Sequence, residues 1–145
     1  MEMPEYVTRQ EVRRVSKELG LRDWSRMKKP RVSDKEAEIV RKAVGGEALK
    51  VSLDAFRTGL EVELEHGVVF PDSNVTNNHP LLTGKIVVAH LKEMLDYYER
   101  LEVAEIEGDI YKAVKKKDAA KIARYFKKLA IARQKLAEVE AAGLK

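Results

Sequence analysis

Apolar residues along this chain recur mostly at three- and four-residue intervals, the period of a helix face, and clusters of turn-forming residues separate the periodic runs. Thr8-Arg9-Gln10-Glu11 reads as a capping box in which hydroxyl and carboxylate each satisfy an exposed amide, and Val12, Val15 and Leu19 form the stripe behind it. Gly20 can supply the left-handed turn that ends this first helix. Trp24 and Met27 anchor the connection to a second capping box, Ser33-Asp34-Lys35-Glu36, followed by Ala37, Val40 and Val44 before Gly45-Gly46 breaks the helix.

The next segment reads in two ways. Leu53, Phe56, Leu60 and Leu64 fit a helix starting near Ser52 and stopped by Gly67, whereas Leu60, Val62 and Leu64 alternate with Glu61, Glu63 and Glu65 as a strand would. The length of the run, and the lack of a second strand to pair with, favour the helix. Residues 68–80 carry Pro71, Asp72, Ser73, Asn77, Asn78 and Pro80 and form a long ordered turn, the Asn74-Val75-Thr76 sequon being part of its turn chemistry. Ile86, Val87, Leu91, Met94, Tyr98 and Leu101 then predict a fourth helix from about residue 81 to 107, with a break at Gly108-Asp109 and a short helix over 110–116. A last helix starts at the N-cap Asp118 and carries Ile122, Tyr125, Phe126, Leu129, Ala132, Leu136 and Val139. The pattern predicts an all-α protein: a small helical bundle in one domain, 1–145, with helices three and four as a central antiparallel hairpin.

Composition narrows the chemistry. The 145 residues include no cysteine, which removes disulfides, thiolate metal sites and thiol catalysis and leaves His and carboxylates as metal ligands. The N-terminal residues hold no apolar signal region and no run is long and apolar enough to span a bilayer, so a cytoplasmic location is expected. A charged fraction of 36% with no cysteine also suits a thermophile. No nucleophile or cofactor fingerprint stands out, and no catalytic residue is assigned.

Charge is segregated. Residues 51–109 carry 4 Lys+Arg against 12 Asp+Glu, and residues 110–135 carry 10 against 1. An acidic middle followed by basic helices over 110–142 can pair within the chain, between subunits of a homo-oligomer, or leave the tail for an anionic partner. In the last case Lys115, Lys116, Lys117, Lys121, Arg124, Lys127 and Lys128 would contact phosphates, with Tyr125 available for stacking. A solvated basic face is the plain alternative.

Two mirrored pairs carry the other candidate chemistry. Glu63-Leu64-Glu65-His66 and His90-Leu91-Lys92-Glu93 each place a carboxylate and an imidazole three apart, on one helix face. If the two helices meet antiparallel, Glu63, His66, His90 and Glu93 could converge on one divalent ion such as zinc, iron or manganese, with Glu65 and Tyr97 supporting them. In the alternative, His66 caps the end of its helix and His90 hydrogen-bonds Glu63 or Tyr98 within a structural network. His79 before Pro80 reads as a helix cap, with an anion site at Thr83, Gly84 and Lys85 as the rival.

The run from Phe56 to Gly67, Asn74-Val75-Thr76, Thr83-Gly84-Lys85-Ile86, His90-Leu91-Lys92-Glu93, Asp96-Tyr97-Tyr98 and Leu101 resembles, over about residues 50–105, the domain of unknown function 5661. The resemblance implies that Glu63, Glu65, His66, Lys85, His90, Glu93, Tyr97 and Tyr98 belong to the family motif and attaches no activity to them. The family pattern favours acidic residues near position 79 and a proline near position 95, where this chain has His79 and Leu95.

Overall fold

The structure, a computed structural model, describes residues 6–144, and within them all regular structure is helical. The helices are α1 (Arg9–Glu18), α2 (Asp34–Val44), α3 (Leu53–Val69), α4 (Pro80–Glu93), α5 (Tyr97–Lys115) and α6 (Ala119–Gly143), with short 3-10 turns at Trp24–Arg26, Gly46–Lys50 and Pro71–Ser73. The described chain falls into two compact units, divided between Glu93 and Met94. No helix among the described residues is long and apolar enough to cross a membrane.

In the first unit, α3 packs on α4, and α2 packs on both. Thr8 Oγ1 accepts the Glu11 amide, and at α2 both halves of the capping box form, Ser33 with Glu36. Ser52 caps α3 by accepting the Ala55 amide. Val12, Trp24, Val40, Phe56, Leu60, Leu64 and Val87 are fully buried, so the stripes read from the sequence face one core. The 60–66 segment is helical throughout, its Leu64 buried while Glu65 is exposed.

Two glycines depart from the sequence reading. Gly67 does not stop α3, which runs on to Val69. A Cβ there would collide with Asn78 Oδ1 and lie 2.6 Å from Asn74 Nδ2, so the bare Cα makes room for the loop that follows. Gly84 lies buried inside α4 rather than at its start, and a Cβ would sit 2.8 Å from Val44 Cγ2 and 3.1 Å from Val40 Cγ1. It lets α4 approach α2 closely.

The break expected at Gly108-Asp109 is instead at residues 94–96. The fourth helix ends at Glu93, and α5 then runs unbroken through Gly108 to Lys115. Met94 and Leu95, at the break, are 40% and 73% exposed. In the second unit α5 and α6 pair along their length as a hairpin. Ile106, Leu129 and Ala132 form its centre, with Val103, Ile110 and Tyr125 against them. Asp118 caps α6 through the Lys121 amide, as expected.

Candidate functional site

Within the first unit, the helical reading of residues 60–66 puts Glu63 and His66 on one side of α3. His90, from α4, brings Nε2 to 3.5 Å from Glu63 Oε1, with side-chain exposures of 30% and 14%. Glu63 and His66 also line a cleft of about 140 Å³ closed by Gly67, Ser73, Asn74, Val75, Thr76, Thr83 and Ile86. Glu93 is exposed at the last residue of α4. Glu65 opens onto a different hollow, with Lys29, Arg31, Thr58 and Glu61. Tyr97 belongs to the second unit, where its ring meets Tyr98 edge-on at 5.2 Å between centroids. Among the described residues, no group of three or more His, Asp or Glu side chains is gathered as a metal centre would require. Of the two mirrored pairs, Glu63 and His90 are brought together.

The cleft is shaped by residues that the sequence reading passed over as turn chemistry. Asn74 Nδ2 donates to Gly67 O at 3.2 Å and to Asn78 Oδ1 at 3.0 Å, and Asn78 Nδ2 reaches Trp24 O at 3.4 Å. Asn77 donates to Val7 O at 2.6 Å. Asn77 and Asn78 both take positive φ, 48° and 62°, a conformation that asparagine tolerates better than most residues. The signal was the Asn-Asn pair itself, ahead of a proline and paired in space with Gly67. His79 is the α4 cap: its Nδ1 accepts the Leu82 amide at 3.4 Å. Burial holds this imidazole below its usual pKa, with nearby Arg14 acting in the same direction and Glu11 opposing. The amide of Thr83, within the segment considered for an anion, is already bonded to His79 O.

In the second unit the cations divide into two sets. Toward the open end of the hairpin, Arg100 pairs with Asp96 and Glu140 at 2.7 Å, Lys135 with Glu99 at 3.5 Å, and Arg133 with Glu107 at 2.7 Å. Lys112 pairs with Asp109 at 3.2 Å. Around the turn, Lys115, Lys116, Lys117, Lys121, Arg124, Lys127 and Lys128 have no carboxylate at ion-pair distance among the described residues, although Lys121 acts electrostatically on Asp109. The acid at the turn, Asp118, is engaged by the Lys121 amide.

Aromatic rings sit among these cations. Lys121, Arg124 and Lys128 lie 5.7, 5.7 and 5.6 Å from the centroid of the Tyr125 ring. The Asp109 carboxyl is held below its usual range first by its hydrogen bond from Lys112, with Tyr125 and Lys121 acting in the same direction. Tyr125 thus gathers three cations at one place instead of leaving them dispersed. Lys117 sits in the turn with φ 53°, a left-handed residue that reverses the chain in three residues and puts the ends of two basic helices together.

These features define an all-helical protein with a polar cleft in its first unit and a basic hairpin in its second. A sequence profile matches residues 12–107, and the chain belongs to the family it describes, Protein of unknown function (DUF5661). The matched segment begins well upstream of residue 50, taking in α1 and α2, and it ends inside α5, before the basic turn. No curated protein and no solved structure matches the chain.

Proposed function

We propose that the chain is a non-enzymatic interaction module that binds nucleic acid through the basic turn of the α5–α6 hairpin. The observation that carries this reading is the contrast along one hairpin: cations near its open end have carboxylate partners, whereas the seven from Lys115 to Lys128 have none at ion-pair distance among the described residues. Unpaired like charges crowded at a turn repel one another and raise the energy of the fold. A phosphate backbone relieves that repulsion and releases its condensed counterions in doing so. Titration of a labelled oligonucleotide with the full chain at increasing salt tests the reading. Affinity is expected to fall steeply with salt and to fall again when Lys115, Lys116 and Lys117 become Gln; no binding at low salt would overturn it.

A second reading, a divalent ion held by Glu63, His66, His90 and Glu93, is favoured by one observation. Glu63 touches His90 and shares a cleft with His66. Three or four ligands would then have to be completed by movement of Glu93 or by water. Elemental analysis and titration with zinc, manganese or ferrous ions, comparing wild type with His90→Ala, decides it. No bound metal and no His90-dependent affinity would remove this reading.

A further inference from the structure

The aromatic side chains of the hairpin are not equivalent. Tyr125 is half-buried against the hairpin core, and three cations lie within 5.7 Å of its ring centroid, so a ligand ring would have to displace them to stack there. Tyr111 is 66% exposed, and the only cation–π neighbour it has among the described residues is Lys115, whose Nζ lies 5.7 Å from the ring centroid. Tyr111 and Lys115 are four apart on α5 and share a face, while the buried Ile106 and Ala113 mark the stripe turned to the helix's own packing. Phe126 on α6 is 55% exposed and has no such cation partner among the described residues.

A large exposed ring beside an ammonium group gains little in water. It gains a partner when a flat, unstacked base lies on it while the adjoining phosphate meets the cation. A duplex offers no such base, because its bases are already stacked inside and present mainly phosphates to a basic surface. We propose that the hairpin turn takes single-stranded nucleic acid, with one base stacked on Tyr111 and the neighbouring phosphates on Lys115 and Lys116. This rests on the reading of the turn as a nucleic-acid interface and adds the strandedness of the ligand. Tyr125 has a different part: it holds Lys121, Arg124 and Lys128 in a stripe with neighbours about 5–6 Å apart, along which the backbone can continue.

The test uses the full chain and fluorescently labelled strands of about 12 nucleotides, as DNA, as RNA, and as the matching DNA duplex, read by anisotropy at low salt. The single strands are expected to bind more tightly than the duplex. Tyr111→Ala should weaken single-strand binding by at least about fivefold, the lower end of what one stacked base contributes, and leave duplex binding within about twofold. Tyr111→Phe keeps the ring and should keep the affinity. Circular dichroism of each variant checks that the helices persist, and Tyr111→Phe keeps the test decisive if the alanine variant is damaged. Equal affinity for duplex and single strand, an alanine effect of the same size on both, or a Phe variant as weak as the Ala variant would overturn the proposal while leaving the nucleic-acid reading standing. No binding to any of the three probes would overturn both. A difference between the DNA and RNA arms within the single-strand preference tells which sugar the site favours.

Discussion

Single residues carry much of the organisation of the first unit, and Gly67 does so by what it lacks. Gly67→Ala places a methyl group against Asn78 Oδ1 and Asn74 Nδ2 and is expected to cost about 1–3 kcal/mol in denaturant unfolding. Gly108 is also helical, but a Cβ there meets nothing within 4 Å. Gly108→Ala should therefore stabilise by about 0.5–1 kcal/mol, and opposite signs at two helical glycines are the check. His79 adds a pH dependence. It is buried as the neutral acceptor of the Leu82 amide, so its folded pKa lies below the ordinary value of about 6.5. Below that value the unfolded chain binds the proton more readily than the folded one, so stability is complete above about pH 6.5 and falls as pH drops. Unfolding curves from pH 8 to 5 should show this loss in wild type and a shallower one in His79→Asn, which keeps a cap without the titration. An equal slope in both would assign the effect elsewhere.

At the scale of elements, the caps were the most legible feature of the sequence. Thr8, Ser33 and Asp118 each accept the amide three residues on, because a short polar side chain at a helix start acts locally and needs no tertiary context. Asp118→Ala should lower stability by about 1 kcal/mol and, since Asp118 is the acid at the turn, raise affinity for an anion at the same time. A loss of both would place Asp118 among the groups that shape the binding surface. Glycine is the least legible feature: Gly67 reads as a stop, Gly84 only as part of a rival anion site, and Gly108 as a break. The structure uses the first two for close approach and passes through the third. Those roles depend on which side chains arrive, from the following loop at Gly67 and from α2 and α3 at Gly84, which spacing along one helix does not encode. The helix break at 94–96 contains neither Gly nor Pro in this chain, so no breaker residue marks it in the sequence.

At the scale of the whole molecule, the mirrored carboxylate and imidazole pairs contribute the contact of Glu63 with His90 and part of the lining of a cleft completed by the loop that holds Asn74. His90→Ala should cost on the order of 1 kcal/mol through that contact, measured by thermal unfolding with and without a chelator. An unchanged difference when metal is removed means the contact is structural. The charge reading carries further, because both the segregation and its consequence are visible: among the described residues, ion pairs with carboxylates of the acidic middle reach along α5 as far as Lys112. The family profile covers α1 to the middle of α5, so the basic turn is a feature of this chain beyond the matched segment.

The salt dependence of nucleic-acid binding tests the central claim most directly. Measured for wild type and for the Lys115→Gln, Lys116→Gln, Lys117→Gln triple variant, the logarithm of the binding constant is plotted against the logarithm of salt concentration. A linear fall is expected, with a slope smaller by about 2–3 in the variant, since each lost phosphate contact removes roughly 0.7–0.9 from it. Binding that is absent at low salt, or whose salt slope is the same in both proteins, would contradict the account.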